Sequence, residues 1–102
     1  MIVTQFKCKF RGMEYDLYGI LKRLIDCPIQ IEDNKWFDHV VKSIISKYND
    51  KPTYGEFRYE NKHGIVATVY NISKNDDGML HFTIRITGGY VDEEYTITMV
   101  PS

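Results

Sequence analysis

Two turn signals in the second half of the chain constrain its fold more than any other feature. Asn61-Lys62-His63-Gly64 separates two alternating apolar–polar runs, and Asn75-Asp76-Asp77-Gly78 separates the next two. Gly, Asn and Asp tolerate the backbone angles that reverse a chain, so such clusters between alternating runs mark hairpins. Glu60 is expected to pair with Ile65 across the first turn, which would set Tyr59 against Val66 and Phe57 against Thr68. Ser73 is expected to pair with Met79 across the second. That would set Ile72 against Leu80, Tyr70 against Phe82, Thr68 against Ile84 and Val66 against Ile86. The expected inner face then collects Phe57, Tyr59, Val66, Tyr70, Ile72, Leu80, Phe82, Ile84 and Ile86, while Ile65, Ala67 and Val69 run down the outer face. A one-residue slip would turn a whole apolar set to water, so the agreement of two independently chosen turns supports the pairing.

The last strand alternates Tyr95, Ile97 and Met99 with Glu94, Thr96 and Thr98. A two-residue turn at Gly88-Gly89 would bring Glu93 opposite Ile84 on the apolar face, where an unpaired carboxylate is costly. The sequence therefore favours a longer loop from Gly88 to Glu93, with Ile86 opposite Tyr95 and Ile84 opposite Ile97. The short turn requires Glu93 to lie beyond the covered part of the sheet.

The first half supplies a cover for that sheet. Asn34 to Tyr48 carries Phe37, Val40, Val41, Ile44, Ile45 and Tyr48 at helical spacing, with Asp38, Lys42, Ser46 and Lys47 largely on the other side. Asp33 or Asn34 can cap this amphipathic helix, and Pro52 follows its end. Leu17 to Asp26 predicts a shorter helix through Leu17, Leu21, Leu24 and Ile25. Gly19 weakens it, and Cys27-Pro28 is expected to end it. Ile2 to Phe10 alternates as a strand. Glu14 to Leu17 is either the start of the helix or a second strand hairpinned through Arg11-Gly12-Met13.

With 102 residues, 43% of them hydrophobic, the chain can bury one modest core, so residues 1–102 are expected to form a single domain. No stretch is long and apolar enough for a membrane helix. No signal-peptide pattern opens the chain either, so the expected compartment is the cytoplasm. Ala67 is the only alanine, against abundant Ile, Lys, Asn and Tyr. That bias points to an AT-rich genome, as in low-GC bacteria and their phages.

A net charge of −1 argues against a general nucleic-acid binder, which needs a basic stripe to displace counterions. Lys7, Lys9 and Arg11 do line one side of the first strand. They are either a weak phosphate-contacting ridge or, as the plainer reading, an edge strand kept soluble by charge. Cys8 faces inward as a small hydrophobe and Cys27 sits at a helix end. Two cysteines in a cytoplasmic chain are expected to stay reduced. The expected register puts His81 beside Asn71 and His63 in the turn at the opposite end, with His39 on the helix. No metal site, cofactor or catalytic residue is therefore assigned.

The outer face is expected to carry Glu56, Arg58, Glu60, Arg85 and Glu94, with Arg58 and Arg85 flanking Ala67. These residues form either a solvated salt-bridge lattice or, with the apolar stripe between them, a flat partner-binding surface. In the loop Gly88–Glu93, Tyr90 and Val91 have no core position. An exposed Tyr is a good interface anchor because it adds contact area with few rotors to freeze. The acidic run Asp92-Glu93-Glu94 suits a basic partner.

The expected fold is a two-layer α+β domain. An N-terminal strand and one or two helices pack on a four- to five-stranded antiparallel meander. In order of elements alone, with no shared motif, this layout is similar to the cystatin-like arrangement of a sheet curled around a helix. The expected function is non-enzymatic binding of another protein through Tyr90, Val91, Asp92, Glu93, Arg58 and Arg85. An inhibitor, anti-defence or immunity-type protein is its most concrete form. The alternatives are a ligand pocket or small active site between helix and sheet, served by Tyr48, Tyr59, Tyr70 and Tyr95, and weak nucleic-acid binding through the first strand. A homodimer through an edge strand is compatible with all three.

Overall fold

The computed structural model describes residues 1–31 and 33–102. Eight elements follow in order: β1 (Phe6–Phe10), β2 (Met13–Asp16), α1 (Leu17–Ile29), α2 (Lys35–Tyr48), β3 (Phe57–Glu60), β4 (Val66–Lys74), β5 (Leu80–Gly88) and β6 (Val91–Pro101). The strands form one six-stranded antiparallel sheet in the order β2-β1-β6-β5-β4-β3. Both helices pack on one face of it, giving the expected α+β architecture with one strand more than foreseen.

The N-terminal strand is shorter than its alternating pattern suggests. The Asn49 side chain bonds both the N–H and the carbonyl of Val3, tying the chain before β1 to the end of α2. Arg11 and Gly12, both at positive φ, make the two-residue turn into β2. So Met13–Asp16 is strand, and the helix starts at Leu17, where the Asp16 carboxylate accepts the Gly19 N–H at 2.7 Å. The expected stop at Cys27-Pro28 is corrected, because α1 continues to Ile29. Proline there lacks only one ladder donor, and the helix ends where Gln30 turns left-handed and donates to the Asp26 carbonyl. Asn34 occupies the cap position of α2 without a side-chain bond to the helix, its side-chain oxygen accepting from Lys22 instead, while Asp33 accepts the Lys35 N–H.

The β3–β4 and β4–β5 turns prove to be copies of one another. In each, the Asn N–H donates to the carbonyl four residues on, and the glycine N–H returns to the Asn carbonyl. The Asn side chain also accepts the N–H four residues on, from Ile65 in one turn and Met79 in the other. Gly64 and Gly78, both near φ +79, make each a three-residue loop with a glycine bulge. That bulge moves the expected pairing by one: Glu60 faces Val66, Tyr59 faces Ala67 and Phe57 faces Val69.

A second irregularity lies between Tyr70 and Ser73, where Asn71 takes φ 54. This bulge switches the alternation, so Val69 and Ile72 both point inward. The observed pairs are Ala67–Ile86, Val69–Ile84, Tyr70–Thr83, Ser73–His81 and Lys74–Leu80. The expected inner placement of Val66 and Tyr70, and the outer placement of Ala67 and Val69, are therefore reversed. Phe57, Tyr59, Ile72, Leu80, Phe82, Ile84 and Ile86 lie on the expected face. They meet Leu21, Ile25, Phe37, Val40 and Ile44 from the helices, and the Tyr48 hydroxyl donates to the Gly78 carbonyl.

The β5–β6 connection is tight: Gly88 faces Val91, and Gly89-Tyr90 make the turn. Both the longer loop and the Gly88-Gly89 turn are thus corrected. Ile86 faces Glu93, Ile84 faces Tyr95 and Phe82 faces Ile97. Glu93 does fall on the inner side, but at the open rim of the covered face, where it lines a shallow pocket with Arg23, Leu24 and Cys27 of α1. There its carboxylate is exposed and accepts the Tyr95 hydroxyl at 2.8 Å. A side chain at Gly88 (φ +133) would meet the Gly64 carbonyl at 2.6 Å, so the close approach of the first turn demands glycine.

Candidate partner-binding face

The face of the sheet away from the helices is built by alternation along each strand, interrupted in β4 by the bulge at Asn71. Its central row runs Arg58, Thr68, Arg85, Glu94 across four strands. Arg58 and Arg85 therefore flank Thr68, not Ala67. Each guanidinium is matched: Arg58 to Glu60 at 2.8 Å, and Arg85 to Glu94 at 3.0 Å and Asp92 at 3.4 Å. With their charge already spent on neighbours, the arginines form a lattice of exposed pairs and not an open anion cradle.

Tyr70 joins this lattice. Its hydroxyl donates to Glu94 at 3.2 Å, and its register partner Thr83 is buried. Partial burial raises the Tyr70 hydroxyl above its ordinary value, the Glu94 charge and hydrogen bond add to this, and Arg85 pulls the other way. Tyr95 is raised first by its hydrogen bond to Glu93 and then by burial.

The predicted loop residues separate. Tyr90 is fully exposed at the hairpin tip, whereas Val91 is half-buried against the core. Asp92 and Glu94 join Arg85 on the outer face, and Glu93 points to the other side with Tyr95. The acidic run is therefore divided between two faces, as alternation in a strand requires. Arg58, Arg85 and Asp92 lie on the outer face, Tyr90 stands at the hairpin tip beside it, and Val91 and Glu93 lie on the inner side.

Other sequence candidates are locally engaged. Lys7 lies 3.7 Å from Glu14, Lys9 faces Glu14 in the register, and Arg11 stacks over Phe10. His81 lies opposite Ser73 and Thr98, not Asn71, and its ring meets Asn75 at 3.2 Å. His39 packs edge-on to Phe57. Both cysteines are free: Cys27 is exposed, and burial pushes the half-buried Cys8 thiol up. Tyr48, Tyr59, Tyr70 and Tyr95 do not converge, since Tyr70 is on the outer face and Tyr59 packs against Trp36. Among the described residues no group of three or more His, Cys, Asp or Glu could hold a metal ion, and no helix is long and apolar enough to cross a membrane.

Sequence reasoning missed the threonine field of this face. Thr68, Thr87, Thr96 and Thr98 lie there, and their spacing in β5 and β6 was a readable signal. No family model matches the chain, and neither does any curated protein or solved structure.

Proposed function

We propose that this chain is a small protein-binding module, acting without catalysis as an inhibitor or immunity-type partner, and that it engages its target through the uncovered sheet face and the Tyr90 tip. The observation that carries this reading is the asymmetry of the sheet. Its inner face is filled by two helices, while its outer face presents a flat field of threonines, paired charges and Tyr70, with Tyr90 projecting at one end. Flat polar faces with aromatic anchors suit protein recognition: paired charges fix register, and tyrosine supplies contact area.

The test is affinity capture by the tagged full chain from lysate of its native host, read by mass spectrometry. One stoichiometric partner is expected, lost when Tyr90→Ala is combined with Arg58→Glu and Arg85→Glu. Undiminished capture by that triple variant would refute the assignment of this surface.

A further inference from the structure

The sheet is split between β1 and β6. These strands pair only at Phe6–Pro101 and Lys7–Val100, although β6 runs on to Val91. Continuing the same register would pair Lys9 with Thr98, but the strands part there. A cleft of about 430 Å³ opens between them, lined by Lys9, Phe10, Glu94, Tyr95, Thr96 and Thr98 among others.

The direction of the backbone groups follows from the turns. Gly88 and Val91 close a two-residue turn, so they and every second pair after them exchange ladder bonds: Ile86–Glu93, Ile84–Tyr95 and Phe82–Ile97. The intervening residues of β6 turn their N–H and carbonyl groups the other way. Ser102 has the same parity, and its N–H does donate to Gln5 on the β1 side, at 3.0 Å. Asp92, Glu94, Thr96 and Thr98 thus aim their backbone donors and acceptors into the cleft, as does Lys9 from β1. Among the described residues none of Asp92, Glu94, Thr96 and Thr98 has a register partner on β1.

We infer that this cleft receives an extended segment of the partner protein, which adds as a strand to the free edge of β6. This rests on the protein-binding reading and names how the partner is held. A row of unpaired backbone groups is a template for strand addition. Glu94 to Thr98 spans about 13 Å, enough for a short strand. The chemistry of the lining fixes the sequence type. Inward side chains of the guest meet the rings of Phe10 and Tyr95, which lie 6.0 Å apart, so those positions are apolar. Outward ones meet Thr96, Thr98 and Glu94, so those are hydroxyl-bearing or basic. The guest is an alternating apolar–polar strand.

Amide hydrogen exchange by NMR on the full chain tests this. The probe is an end-blocked peptide of alternating threonine and valine with a lysine at each end. In the free protein the amides of Glu94, Thr96 and Thr98 should exchange fast, and those of Tyr95 and Ile97 slowly. The peptide should slow the first set by about tenfold or more, and an N-methylated version should not. Thr96→Pro removes one edge donor and no internal bond, so it should fold and abolish the protection. The proposal is overturned if those amides are already slow in the free chain, because β1 then closes the edge. No response at millimolar peptide overturns it too, as does protection that grows with protein concentration alone, which would mean a second copy takes the edge. None of these readouts depends on Tyr90, Arg58 or Arg85, so failure of the strand-addition idea is distinct from failure of the binding face.

Discussion

The two faces of strands β4 to β6 share one backbone and obey different constraints. Inward, Ala67, Val69, Leu80, Phe82, Ile84, Ile86 and Met99 are essentially inaccessible beneath the helices. Outward, Thr68, Arg85, Thr96 and Thr98 need only favour a strand and stay soluble, which β-branched hydroxyl residues and paired charges both do. Identity on the inner face is fixed by packing, so it carries the stability. Identity on the outer face is free of that demand, so it can carry recognition.

The sharpest way to break this contrast is Phe82→Ala. Phe82 is 1% exposed at the centre of the inner face. Its loss should cost about 3–5 kcal/mol, through lost transfer energy and an unfilled cavity. Urea unfolding would measure it. A cost below about 1 kcal/mol would mean that the helices do not close over this face as a packed layer.

The next test addresses how the faces are kept apart. At Asn71 the alternation switches, and a β-branched residue cannot hold a left-handed backbone cheaply. Asn71→Val should lose about 1–2 kcal/mol, while Asn71→Gly should be near neutral. Equal stability of the two variants would show that the chain does not need the bulge. This residue also marks where the sequence stops being legible. The helices and most of the inner face follow from local periodicity. Val66 and Tyr70 are misplaced because alternation cannot reveal an extra residue, although a polar Asn between Tyr70 and Ile72 was a hint.

The glycine bulge at Gly64 hides the first register in the same way. Glu93 misleads for another reason: it is exposed at the rim of the covered face beside α1, and no strand pattern encodes where that rim falls. For the candidate face, Arg58 and Arg85 are legible as co-facial, but the separation of Glu93 from Asp92 and Glu94 depends on the tight Gly89-Tyr90 turn, which brings these residues into β6. The cleft beside β6 was not legible: the alternation predicts a first strand from Ile2 to Phe10, and only the structure sets five residues of β1 against eleven of β6.

The smallest effect on stability belongs to Arg85→Ala. Arg85 is about half exposed (46%), and both its carboxylate partners are in water. Exposed pairs of this kind contribute about 0.2–1 kcal/mol, so urea unfolding should change little. The electrostatic readout should be clearer. Arg85 favours the ionised form of Tyr70, while burial and Glu94 disfavour it. Removing Arg85 should therefore raise the Tyr70 pKa further, and Glu94→Gln should lower it, both visible in an NMR titration of the ring. The sign for folding follows. A tyrosine whose folded pKa lies above its unfolded value contributes fully below about pH 10, and that contribution is lost as pH rises through the folded pKa. Arg85→Ala should thus make stability fall more steeply with pH above about 10, and Glu94→Gln less steeply. If Arg85→Ala instead destabilises the fold as strongly as a core truncation, the outer face carries stability as well, and its freedom to serve recognition is lost.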